Sequence, residues 1–158
     1  MKNFEEFRKA IAKRESSNNY KAVNKFNYLG AYQFGWQRLY DLGIYIKELA
    51  KLPKKENQII ISINEFLNNP KLQDKVFYYH IKQLANIINK RYKNYIGKKI
   101  NNIEITLSGL VAGAHLLGLG NVSKFLRGFE VKDGFNTPIS SYIKDFANYD
   151  LTELLDEK

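Results

Sequence analysis

Cysteine is absent from this chain. That absence excludes disulfide frameworks, thiolate metal sites and cysteine nucleophiles together. Histidine is nearly as scarce, with only His80 and His115, too few for a histidine-rich metal centre; no metal and no organic cofactor is implied. No apolar run approaches the roughly 20 residues that a membrane-spanning helix needs, so no membrane segment is expected. The first residues, Met1-Lys2-Asn3-Phe4-Glu5-Glu6-Phe7, are charged and amphipathic and lack the continuous apolar stretch of a secretory signal. Dense basic runs are missing too. The lysines fall in short clusters such as Lys54-Lys55 and Lys98-Lys99, which form no arm or tail.

What is present is a globular composition with two excesses. The 158 residues are 44% hydrophobic and 26% charged, enough for a single domain with a sizeable core, and one domain over 1–158 is expected. Aromatic residues reach 14%, including eleven Tyr, which suits a core and equally a groove that stacks on flat ligand faces. The formal net charge is +9. That sign favours polyanions: nucleic acid, anionic lipid, or a cell wall carrying carboxylates and phosphates. No recognition-helix pattern supports nucleic acid, and none is expected as a partner.

The hydrophobic periodicity reads as helix. Phe4, Phe7 and Ile11 recur at spacings of three and four, predicting a helix over 3–15 with Asn3 as N-cap. A polar loop over 16–31 follows, anchored by Tyr20, Phe26 and Tyr28, then a second helix over about 32–41 that Gly43 stops. Residues 44–53 read as a weak helix. The run Ile59-Ile60-Ile61 suits a strand as well as a helix at that length, and a helix from about 62 capped by Ser62 is favoured. Asn69-Pro70 marks a helix start, an N-cap with proline at the first helical position, for a helix reaching about residue 95. Residues 98–105 read as a connector. Thr106 or Ser108 opens an apolar helix from Leu107 to Leu117, whose Gly109, Ala112, Gly113 and Ala114 permit close packing. A short helix to Leu126 and a last one from Ser140 to Phe146 complete an all-α reading, and the acidic tail after Asp150 is expected to fray.

One carboxylate stands apart. Continuing the Phe4, Phe7, Ile11 stripe by one more turn arrives at Glu15, so this acid projects from the buried face near the helix C-terminus. Burial and the negative end of the helix dipole both disfavour the carboxylate, so an elevated pKa is expected, the property of a general acid. Trp36 and Tyr142 read as core, and Asp41 and Glu48, the next acids, read as solvated helix residues.

Glu15-Ser16-Ser17 followed by Gly30-Ala31-Tyr32-Gln33, with Glu15 and Gln33 separated by 18 positions (33 − 15), resembles the lysozyme-like superfamily. More narrowly it resembles the lytic transglycosylases and their phage-type relatives. A third block of that family, Ala-Tyr-Asn-x-Gly-x-Gly, has its frame and both glycines in Ala114-His115-Leu116-Leu117-Gly118-Leu119-Gly120, with His in place of Tyr and Leu in place of Asn. The resemblance implies a lysozyme-like helical domain with a substrate groove. Its substrate would be the glycan strands of peptidoglycan, cleaved at the β-1,4 bond between N-acetylmuramic acid and N-acetylglucosamine. One Glu would act as acid and then as base, closing a 1,6-anhydro ring on the muramic acid. Glu15 takes that role. Gln33, Tyr32, Asn24 and His115 are the substrate-groove candidates; Asn24 either orients Glu15 or forms a turn. Hydrolysis of the same bond by a muramidase and a non-catalytic wall-binding module are the alternatives. The place of action implied is the periplasm or cell wall, reached by phage or prophage release, by specialised secretion or after removal of a leader. A monomer is expected.

Overall fold

A computed structural model describes residues 1–156. The chain forms two compact units, residues 8–80 in one, and residues 1–7 with the chain from Ile81 onward in the other. Helices α1 (Phe4–Ser16) and α4 (Pro70–Tyr92) contribute residues to each.

Within the 8–80 unit, a turn-rich segment over 17–35 leads from α1 to α2 (Trp36–Asp41). Strand β1 (Ile44–Ile46) then pairs in parallel with β2 (Ile59–Ile61), in the register Ile44 to Ile59, Tyr45 to Ile60 and Ile46 to Ile61. Helix α3 (Ile63–Leu67) follows β2 directly and leads into α4. Ile11, Leu29, Tyr32, Leu39, Phe66 and Phe77 are fully buried in this unit, and Tyr32 stacks on Phe77 with ring centroids 4.1 Å apart.

In the second unit, β3 (Lys99–Ile100) and β4 (Ile103–Glu104) form an antiparallel hairpin ahead of α5 (Leu107–Leu117), α6 (Leu119–Leu126) and α7 (Ile139–Asp145). Residues 108–114 of α5 are buried without interruption. Gly109 is the reason α7 can lie so close: a Cβ there would stand 2.4 Å from the Ile143 carbonyl oxygen. The Ser108 hydroxyl, also buried, donates to the Phe146 carbonyl. Phe7 packs edge-on against Phe146 and Tyr149.

The all-α reading is therefore corrected: the described chain is 51% helix and 11% strand, a mixed α/β arrangement with two small sheets. The weak helix over 44–53 is instead β1 and a turn. The connector over 98–105 is the β3–β4 hairpin, whose two central residues, Asn101 and Asn102, both have positive φ (51° and 63°). Two adjacent positive φ values define the tight hairpin turn that asparagine tolerates best. The second helix starts at Trp36 rather than near 32, because Gln33 has φ 56° and Gly35 is the N-cap. The tail does not fray over its described part: Leu151, Leu154 and Leu155 are buried, and the Asn86 side chain bonds the Leu154 carbonyl and the Asp156 amide.

The caps follow the sequence closely. Asn3 and Glu6 exchange side-chain-to-backbone bonds at the start of α1. Ser62 and Glu65 do the same for α3, and the Thr106 hydroxyl accepts from the Gly109 amide at the start of α5. No helix is long and apolar enough to cross a membrane among the described residues.

Candidate active site around Glu15

Phe4, Phe7 and Ile11 are buried along α1, and Glu15, on the same stripe one turn further, is half-buried. The helix ends immediately after it. Ser17 and Asn18 take left-handed backbone angles, φ 56° and 63°, and the Asn18 amide returns to the Ala12 carbonyl at 3.1 Å. Such a reversal satisfies carbonyls that the last turn would otherwise leave open.

Ser16 fastens this helix end to the next motif. Its hydroxyl lies 2.8 Å from the Ala31 carbonyl and 3.1 Å from the Ala12 carbonyl, and it accepts from the Asn19 amide at 3.0 Å. The Glu-Ser pair and the Gly30-Ala31-Tyr32-Gln33 segment, separate in sequence, are thus bonded directly.

That segment is a tight turn. Leu29 and Phe34 exchange both backbone bonds at 2.9 Å, and the Gln33 amide donates to the Gly30 carbonyl at 3.2 Å. Gly30 has φ +80°, and a Cβ on it would stand 2.2 Å from the Gln73 Oε1. Both conditions select glycine. The Gln33 side chain, half-buried, donates to the carbonyls of Gly30 and Ala22 at 3.0 and 3.4 Å. Asn24 spends its Oδ1 on the amides of Phe26 and Tyr28, at 2.8 and 3.0 Å, and so builds the turn that leaves Phe26 and Tyr28 about half exposed.

Tyr32 is completely buried. Its hydroxyl donates to Asp74 and accepts from Arg8 Nη1 at 2.8 Å, while the Tyr20 hydroxyl donates to the same Asp74 oxygen at 2.8 Å. Arg8 and Asp74 stand 3.6 Å apart as an ion pair. Desolvation by burial, reinforced by the hydrogen bond to Asp74, pushes the Tyr32 phenol above its ordinary range, and Tyr20 shifts the same way for the same leading cause. These contacts make Tyr32 a structural anchor of the turn.

His115 lies in the last turn of α5, half-buried, in the other unit. Asp41 is exposed at the end of α2; Glu48 sits in a turn and accepts from the Ile63 amide at 3.0 Å, capping α3. Trp36 is half-buried, and Tyr142 is buried in α7.

Sequence reasoning missed Gln73, the residue that holds the loop. Its amide is fully buried: Oε1 accepts from the Ala31 amide at 2.9 Å, and Nε2 donates to the carbonyls of Tyr20 and Phe66 at 2.9 and 3.0 Å. Three backbone segments are tied to one side chain. The signal lay in the stripe of α4, where Gln73 and His80 occupy helical-period positions shared with buried Phe77, Ile81, Leu84 and Ile88. His80 is matched as well, its Nδ1 accepting from Arg38 Nε at 2.9 Å. That bond places the imidazole proton on Nε2. Burial pulls the Arg38 guanidinium below its usual value, with Asp41 opposing. Among the described residues no group of three or more His, Asp or Glu side chains is placed to hold a metal ion.

The chain matches no family model, and neither curated proteins nor solved structures give a match to it.

Proposed function

We propose that this protein cleaves the β-1,4 bond between N-acetylmuramic acid and N-acetylglucosamine in peptidoglycan, with Glu15 as its acid and base. One observation carries the reading. Glu15, half-buried at a helix end, is joined through Ser16 to the Gly30–Gln33 turn, so two motifs of the resemblance form one bonded unit. Glu15 donates its proton to the glycosidic oxygen, and the C1–O bond breaks with the electron pair leaving on that oxygen. The resulting carboxylate takes the proton of the muramic acid 6-hydroxyl, whose oxygen closes on C1 as a 1,6-anhydro ring. The Gln33 turn is the sugar-binding candidate in the unit that holds Glu15, and His115, by the third motif, is a separate candidate in the other unit. The net charge of +9 suits an anionic wall in the periplasm or at the cell surface.

The test is digestion of purified peptidoglycan by the wild type and by Glu15→Gln, with the released muropeptides weighed by mass spectrometry. Loss of general acid catalysis lowers the rate by about 10²–10⁴-fold, so the variant is expected to be nearly inactive while keeping the wild-type melting temperature. Anhydro ends identify the intramolecular nucleophile, whereas reducing ends identify water. Undiminished activity in Glu15→Gln removes the mechanism.

A further inference from the structure

The second unit contains a cleft of about 540 Å³ between the β3–β4 hairpin and α7, within the size range of small-molecule sites. Asn102, Glu104, Ser140, Ser141 and Lys144 line it, with Ile103 and Ala147 as its apolar members. Among the described residues no aromatic ring lines it, so they offer nothing for a sugar face to stack on.

Its charges are the informative feature. One carboxylate, Glu104, and one ammonium, Lys144, face the same space, and neither side chain makes a hydrogen bond or ion pair with any described residue. Among the described lining residues the cleft thus presents charges of both signs. A single carboxylate is a poor cage for a hard cation, and a single lysine a poor one for phosphate. A ligand bearing both charges satisfies both side chains, and the amide of Asn102 and the hydroxyl of Ser140, which line the same cleft, offer hydrogen bonds to peptide groups. The hairpin turn is held by paired strands, so the carboxylate side of the cleft stands on fixed backbone.

We propose that this cleft binds a short peptide carrying both a free carboxylate and a free ammonium group. Its identification as the peptide stem of peptidoglycan, which bears carboxylates and a diamino acid, rests on the glycan-cleaving reading of Glu15.

The experiment is calorimetric titration of the full chain with the synthetic tetrapeptide L-Ala–γ-D-Glu–L-Lys–D-Ala. The wild type and Glu15→Gln are expected to bind it equally, while Glu104→Gln and Lys144→Met each weaken binding at least tenfold, the effect of losing a charge-assisted contact. Both substituted residues are exposed, so both variants are expected to fold, and their melting curves check this. No binding by the wild type, or equal binding by both variants, overturns the proposal. So does preference for inorganic phosphate or for a peptide-free glycan over the tetrapeptide. Failure of the Glu15 reading shows elsewhere, as wall digestion by Glu15→Gln, and leaves the titration unchanged.

Discussion

Gln73 and Gly30 show how much of the loop after Glu15 depends on two side-chain choices. The buried amide replaces water for the Ala31 amide and for the carbonyls of Tyr20 and Phe66, and leaving a buried backbone group unpaired costs about 1–3 kcal/mol. Gln73→Leu, similar in size but without polar atoms, is therefore expected to lower stability by about 3 kcal/mol or more. Urea unfolding measures it, and hydrogen exchange at the Ala31 amide should quicken in step. Gly30→Ala fails for a different reason, combining a left-handed φ with a Cβ 2.2 Å from the Gln73 Oε1. At least about 1 kcal/mol of backbone strain is expected there before the steric conflict is added. The importance of Gly30 could be read from its place in a motif, but its physical reason could not. The partner it must avoid is 43 positions away (73 − 30).

Short elements depend on their caps. Helix α3 has only five residues, well below the length at which a helix persists alone in water. Ser62 and Glu65 satisfy each other's backbone amides at its start, and Glu48 accepts from the Ile63 amide. Ser62→Ala is expected to lose about 1 kcal/mol, the usual value of an N-cap, measured as a lower denaturation midpoint with an unchanged slope. The same scale explains which elements periodicity could find. Helices α1, α4 and α5 run over 11 to 23 residues with caps of recognisable chemistry. Strands of two or three residues offer too little pattern for a period of two to show. The β1–β2 pairing also joins residues 15 apart (59 − 44), through contacts no local window contains. The Asn101-Asn102 dipeptide between Ile100 and Ile103 was the one local sign of the hairpin.

The pH dependence of stability gathers around the Arg8, Tyr20, Tyr32 and Asp74 cluster. Both phenols titrate above their ordinary value in the folded protein. Between the unfolded and folded pKa values the unfolded chain releases a proton that the native state retains, so the native state loses stability as pH rises. The contribution is fully present below about pH 10, the unperturbed tyrosine value, and falls away above it. Tyr32→Phe removes the dominant group, and its stability is expected to decline less steeply than that of the wild type from pH 9.5 to 11. Chemical denaturation at each pH checks this; identical slopes for the two proteins would assign the alkaline loss to other groups. The variant should also be less stable at neutral pH, since Arg8 and Asp74 each lose a partner.

The amino-acid sequence by itself determined the long helices, their caps and the half-buried position of Glu15. These follow from periodicity and from contacts within a few residues. Only the tertiary structure decided that Ser16 holds Ala31, that Gln73 closes the loop from α4, and that Tyr32 is a buried anchor with its hydroxyl on Asp74. It also decided the mixed α/β architecture. The physical reason is common to all of them: a polar group leaving water needs a partner, and the chain supplies that partner from wherever folding brings it, which no local pattern records.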